Sequence, residues 1–248
     1  MTQDEFHRRT RMLVGEEAMQ RLVSARVIVF GVGGVGSWCV ESLVRSGVRQ
    51  ITIVDSDCVS PTNINRQLMA TVSNKGRPKV EALRERLLDI NPEAQITAVR
   101  GIYDETTAAQ YDFNDYDYVV DAIDTVKAKI LLIQNATASR AKLFSSMGAA
   151  LKMDPTMIQV SEFWKVNGCP LARALRNVLH RPGMRPKKKF QCVWSPELLP
   201  NRGDTSMLAS EAGAIKQKAN GTVVHITAIF GFTLAGLIVK DITAAPSK

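Results

Sequence analysis

Short unbroken apolar runs alternate along this chain with longer stretches in which apolar residues return every three or four positions. The first kind reads as buried strands and the second as amphipathic helices. Strands are predicted at Arg26–Phe30, Gln50–Asp55, Gln95–Arg100, Tyr118–Ile123, Lys142–Ser146 and Met157–Glu162. Helices are predicted at about Glu16–Leu22, Gly36–Ser46, Pro78–Ile90, Val126–Ser139, Leu171–Leu179 and Val223–Ile242. In Pro78–Ile90 the residues Val80, Leu83, Leu87 and Ile90 share one face, Pro78 suits the first helical position, and Asn91-Pro92 stops the helix. Alternation of this kind predicts an α/β protein, a doubly wound and mainly parallel sheet with helices on both faces. No internal repeat or long low-complexity tract interrupts it.

The first strand, RVIVF, runs directly into Gly31-Val32-Gly33-Gly34-Val35-Gly36 and then a helix. Strand, Gly-x-Gly-x-x-Gly and helix make a Rossmann-like phosphate loop. Gly31 allows the tight turn, Gly33 lets backbone approach phosphate, and Gly36 lets the helix pack on the strand, with Gly34 between them. The helix turns its free N–H groups toward an anion. Asp55 ends the second strand, where a carboxylate accepts from ribose hydroxyls, and Asp57 lies two residues on, placed to assist a metal or to cap the turn. These features suit a nicotinamide and an adenine nucleotide equally. Beyond them come Asn63, Arg66 and Gln67, and then Lys79 opening the next helix. Arginine and lysine at two points suit a triphosphate, one as a planar fork and the other as a point charge. The strand DYVVDAID carries Asp121 and Asp124 at its carboxyl end, where an acid facing the crevice can hold magnesium beside substrate phosphates.

GVGGVGSW, DSDCVSPTNINRQ, RPKVE and DAIDTVKAK resemble the ThiF and MoeB superfamily of adenylating enzymes, relatives of the ubiquitin-activating enzymes. The resemblance is close from about Phe6 to Leu151. It implies that Asp55 holds the ribose, that Asn63, Arg66 and Lys79 bind and polarise the phosphates of ATP, and that Asp124 engages Mg2+. It also implies a homodimer in which an N-terminal arginine reaches the neighbouring subunit's phosphates. FHRRTRMLVG puts Arg9 at that position, with Arg8 beside it. On this basis residues 1–248 form a single ThiF-type domain, with a nucleotide-binding part at 1–151 and a substrate and dimer part at 152–248.

The second half points to a branch. FSSMGAALKMDPTMIQVSEFWK, GCPLARALRNVLHR and HITAIFGFTLAGLIVKDI are similar to the enzymes that dehydrate threonylcarbamoyladenosine in tRNA, the TcdA (CsdL) branch. That resemblance implies a carboxyl-adenylate. The carboxylate of the modified adenosine, beside the anticodon, attacks the α-phosphate of ATP and pyrophosphate leaves. Its own carbamoyl nitrogen then closes a ring and expels AMP, so positioning suffices and no catalytic cysteine is required. A sulfur-transfer protein is a possible further partner in this branch, and DNA is not expected. The alternative is adenylation of the C-terminal glycine of a small sulfur-carrier protein. Enzymes of that kind usually carry two Cys-x-x-Cys pairs for zinc, and Cys39, Cys58, Cys169 and Cys192 do not have that spacing. A third reading is a nucleotide-binding regulator or NAD-dependent reductase.

Composition adds a partner. Net charge is +8 and the isoelectric point about 9.5, which suits a polyanion. Arg181, Arg185, Lys187, Lys188 and Lys189 fall between Arg181 and Phe190 among two prolines and a glycine, so this segment is predicted to be a basic loop. Phe190 and Trp194 nearby could stack on unpaired bases while the cations meet tRNA phosphates; an ordinary solvated basic loop is the alternative. Thr222–Val239 has 18 residues without Asp, Glu, Lys or Arg, but His225, Thr227, Thr233 and two glycines favour a buried packing or dimer helix over membrane contact. Cys169, before Pro170, reads as a structural thiol or, less simply, a nucleophile. Scattered cysteines and the lack of a secretory pattern suit the cytoplasm.

Overall fold

A computed structural model describes residues 3–203 and 220–244. Its centre is strand β1 (Arg26–Phe30), which pairs in parallel with β2 (Gln50–Val54) on one side and β4 (Tyr118–Asp121) on the other. Strands β3 (Gln95–Val99), β5 (Lys142–Ser146), β6 (Gln159–Glu162) and β7 (Gln191–Trp194) extend the sheet in the order β3-β2-β1-β4-β5-β7-β6. Only β6 runs antiparallel, against β7. Successive residues of β1 enter opposite cores. Val27 and Val29 join one, Ile28 and Phe30 the other, which is why the strand reads as a continuous apolar run.

The first core lies under helices α3 (Glu16–Ser24), α4 (Gly36–Ser46), α5 (Lys79–Ile90) and α8 (Val224–Thr243), and includes Leu22, Leu43, Leu83, Phe230 and Leu234. The second lies under α6 (Val126–Ala138) and α7 (Pro170–Leu179), and includes Leu132, Ile133, Phe163 and Leu175. Each such side chain, fully buried, contributes about 1.5–3 kcal/mol relative to exposure. Helix α4 ends at Gly47, whose φ of 112° lets its N–H reach the Val44 carbonyl while Val48 N–H reaches that of Leu43. Helix α8 alone is long and apolar enough to cross a membrane among the described residues. It is instead a core helix in this fold, seated on α4 so closely that a Cβ on Gly231 would lie 2.5 Å from the Val35 carbonyl oxygen.

Several predicted elements change. Two short helices, α1 (Gln3–Phe6) and α2 (Arg8–Val14), precede α3, and Gly15 at φ 82° breaks α2 from α3. Pro78 is the cap of α5 and not its first residue. The strand expected from Met157 begins at Gln159, after a 3-10 turn at Pro155–Met157, and β7 was not anticipated.

Candidate nucleotide site

Between β1 and β4 the strand order reverses, and the crevice outside their carboxyl ends is where this architecture binds ligands. Residues 31–36 lie there. Gly31 has φ 83°, and a Cβ on it would meet the Ala122 carbonyl oxygen at 2.7 Å. A Cβ on Gly36 would stand 1.9 Å from the Gly31 carbonyl oxygen, so the turn closes only around hydrogen. A Cβ on Gly34 would lie 3.2 Å from Thr227 of α8 and 3.3 Å from Arg66. A Cβ on Gly33 would meet nothing nearer than Gln67 Nε2 at 3.7 Å. The loop therefore has backbone below it and open space at the position expected to meet phosphate.

Asp55 divides its carboxylate between two backbone donors: Oδ2 accepts from Val32 N–H at 2.8 Å and Oδ1 from Asp57 N–H at 2.9 Å. Lone pairs remain for a diol. Asp57, itself exposed, holds Lys79 Nζ at 2.8 Å, while the lysine side chain is only 6% exposed. The pair fixes an ammonium at the start of α5 beside the loop.

The segment after Asp57 folds over the same crevice. A 3-10 turn at Pro61–Asn63 is closed by Asn63 Oδ1, which accepts from Ser60 N–H at 3.1 Å. Arg66 Nη1 donates to the Thr62 carbonyl at 2.8 Å. Burial holds its guanidinium below the usual arginine range, and the Asp124 carboxylate opposes that shift, which places these two side chains in electrostatic reach of one another. Gln67 is buried, and its Oε1 has no hydrogen-bond partner. An orphan acceptor beside a phosphate loop is a place where a ligand N–H or O–H would be held.

Two residues that the sequence reading left without a role join these parts. Ser37 Oγ donates to the Gly33 carbonyl at 2.6 Å and accepts from Leu68 N–H at 3.2 Å. Trp38 Nε1 donates to the Arg66 carbonyl at 3.0 Å. The first turn of α4 thus ties the glycine loop to the Arg66 segment. Their adjacency to Gly36 in GVGGVGSW was the available signal.

The acids after β4 separate. Asp124 is exposed, with only a long contact from Thr125 Oγ1 at 3.4 Å. Asp121, expected at the nucleotide, is wholly buried: its oxygens take Lys129 Nζ at 2.8 Å, Ser145 Oγ at 2.7 Å and Ile123 N–H at 3.2 Å. It is half of an internal ion pair and presents no surface to the crevice. Arg8 and Arg9 are both exposed on α2, and neither is joined to residues 31–36 of its own chain.

Away from the crevice, Arg181–Phe190 is irregular as predicted, and Arg181, Arg185, Lys187, Lys188 and Lys189 are exposed. Lys188 Nζ, however, donates to the carbonyls of Ser139 and Ala141, and Lys187 N–H to Thr137 Oγ1 at 3.1 Å. These bonds fasten the loop to the amino end of β5, across the sheet from the crevice. Phe190 and Trp194 do not face bases. Phe190 stacks on Phe163 with centroids 5.0 Å apart, and Trp194 donates to Ser161 Oγ at 2.8 Å in the core. Trp164 is the half-buried aromatic beside the cations, with the Arg185 guanidinium 5.6 Å from its ring centre. Cys169 is buried at the cap of α7, Cys39 is buried behind the loop with its thiol pushed up to about 12, and Cys192 is pushed up by burial as well.

A model of the ThiF family matches residues 7–247, nearly the whole chain including every crevice residue above. The chain belongs to the ThiF family. Among its relatives, the tRNA threonylcarbamoyladenosine dehydratase of Bacillus subtilis is 37% identical over 94% of this chain and 93% of its own length. The Escherichia coli tRNA N6-threonylcarbamoyladenosine dehydratase, TcdA, solved in complex with ATP, superposes with a TM-score of 0.85 at 36% identity, covering 96% of this chain and 94% of that one. Its complex with AMP gives 0.84 at 34% identity, with the same coverage.

Proposed function

We propose that this ThiF-family protein dehydrates threonylcarbamoyladenosine in tRNA at the expense of ATP, through a carboxyl-adenylate. The observation that carries the reading is similarity along nearly the full length of both chains to dehydratases of that name, one of them solved with ATP and with AMP. The crevice suits the chemistry. A carboxylate is a poor electrophile until its oxygen is made a leaving group, and transfer to the α-phosphate builds negative charge on phosphoryl oxygens. Arg66 and Lys79, each fixed by a protein partner, would take up that charge, with Asn63 on the turn that precedes Arg66. Asp55 receives the ribose, and Gln67 Oε1 accepts from a nucleotide donor.

Asp124, exposed opposite Arg66, is the residue that would hold magnesium, whose charge when bound shields the phosphates. Exposure of Arg8 and Arg9 on α2 fits donation across a homodimer, with Arg9 completing the phosphate site of the second subunit. Once the adenylate forms, the carbamoyl nitrogen and the activated carbonyl belong to one residue, and ring closure releases AMP.

Pyrophosphate release tests the reading, measured with threonylcarbamoyl-modified tRNA, with a small sulfur-carrier protein and with neither. Release dependent on the modified tRNA is expected. Dependence on the carrier protein would replace this function with the carrier-activating one. Arg66→Ala and Asp124→Ala should each lower turnover more than about tenfold with folding intact; full turnover in either removes that residue from the site.

A further inference from the structure

Asp121 and Lys129 form an ion pair with both side chains wholly buried, in a protein whose other described ion pairs each keep an exposed or partly exposed partner. Two desolvated charges are weak evidence for stability, since the cost of removing them from water offsets most of their attraction. What they touch is more telling. Lys129 Nζ donates to the Ile123 carbonyl at 3.0 Å, and Asp121 Oδ1 accepts from the Ile123 N–H at 3.2 Å. Both backbone polar groups of the residue immediately before Asp124 are therefore held by the pair. Ser145 Oγ, from the neighbouring strand β5, fixes the other carboxylate oxygen at 2.7 Å. On the far side of the same turn, Ala122 N–H donates to the Phe30 carbonyl at 2.9 Å, and the Ala122 carbonyl packs under Gly31. The connection from β4 to α6 is clamped between the glycine loop and the buried pair.

We infer that the Asp121–Lys129 pair positions Asp124, setting the placement of its exposed carboxylate relative to Arg66 and hence the strength with which the site binds magnesium and ATP together. Neither side chain has any surface exposed to a ligand. They act through the Ile123 peptide, as partners behind a metal-binding carboxylate do elsewhere, where their loss costs about 10–100-fold in metal affinity or activity. A short irregular turn between strand and helix has no regular ladder of its own to fix Asp124; the pair supplies two of the bonds that do.

The inference rests on Asp124 acting in the nucleotide site, and the experiment keeps the two apart. Pyrophosphate release on modified tRNA is measured as a function of magnesium at fixed ATP, for full-length wild type, Asp124→Ala, Lys129→Met and the double variant Asp121→Asn/Lys129→Met. Lys129→Met alone leaves a buried carboxylate unpaired and is expected to melt early. The double variant carries no orphaned charge and is expected to stay folded, with turnover about tenfold or more lower and a magnesium midpoint raised several-fold. A folded double variant with wild-type turnover and midpoint overturns the inference. If the double variant does not fold, Asp121→Asn/Lys129→Gln decides: it removes both charges while keeping polar side chains in the same space, and should raise the magnesium midpoint about two- to fivefold. An unchanged midpoint there overturns the inference equally. Loss in Asp124→Ala without loss in the pair variants defeats only the positioning role, whereas full turnover in Asp124→Ala defeats the assignment of Asp124 itself.

Discussion

Gly33 and Gly36 show how one loop separates folding from binding. A methyl on Gly36 would sit 1.9 Å from a backbone oxygen, which no rotamer change relieves. Gly36→Ala is expected to destabilise by about 2–4 kcal/mol or to fail to fold, measured by thermal unfolding. A methyl on Gly33 would meet nothing nearer than a side-chain nitrogen at 3.7 Å, so it fits the protein. It would occupy the space where phosphate approaches backbone. Gly33→Ala should therefore melt within about 1 kcal/mol of wild type while ATP affinity falls at least about tenfold by titration calorimetry. Equal ATP affinity would place the phosphates elsewhere. That the glycines, Asp55 and Lys79 gather at one crevice was legible because each answers a local demand of a strand–loop–helix arrangement. The burial of Asp121 was not, because an acid at a strand's carboxyl end reads the same from sequence whether it faces the crevice or turns to a buried lysine eight residues later, in the first turn of α6. Lys129 is that lysine, and its burial depends on β5 lying alongside.

At the level of elements, β1, α4, β2, α5 and α6 were legible to within a residue or two, since each has a clear hydrophobic period and a recognisable stop. Strand β7 has four residues behind a basic loop, and its pairing with β5 and β6 is a tertiary fact that no local pattern carries. The N-terminal helices were hidden for a similar reason. Neither α1 nor α2 has an apolar face long enough to read as periodic, and the segment is anchored by His7, buried against the end of α4. Burial lowers the His7 pKa from its ordinary 6.5, Val44 raises it through a backbone hydrogen bond, and Arg49 and Arg11 add to the lowering. The sign follows. Above about pH 6.5 histidine is neutral folded or unfolded and has no effect; below it the unfolded chain takes the proton first, so anchorage weakens as pH falls toward the lower folded value. Hydrogen-exchange protection factors of residues 8–14, corrected for the intrinsic rate at each pH, should fall between pH 7 and pH 5 in wild type, and much less in His7→Phe. The same change in both proteins would remove His7 as its cause.

Across the whole molecule the two predicted interaction regions lie at opposite ends of the sheet. The nucleotide crevice is at the carboxyl ends of β1 and β4, whereas Lys188 binds the carbonyls of Ser139 and Ala141 at the amino end of β5. A five-residue strand spans roughly 15 Å, so a tRNA that delivers its modified base to the crevice meets the basic loop only by wrapping the sheet edge or by lying across a second subunit. An open depression of about 280 Å³ in this region is lined by His180, Arg181, Arg185 and Lys187. Lys188 is unsuitable as a probe, because its ammonium closes the α6–β5 turn and its loss would disturb the loop's footing. Lys187→Ala/Lys189→Ala leaves that anchor in place. If both lysines meet phosphates, tRNA affinity should fall and the slope of log affinity against log salt should shrink by roughly 1–2, since each contact releases about one counterion. ATP affinity, governed 15 Å or so away, should not change. An unaltered slope with weaker binding would mean that the lysines act through loop shape. Unaltered binding would leave the loop as solvated surface, and the +8 charge would then have to meet tRNA through other cations.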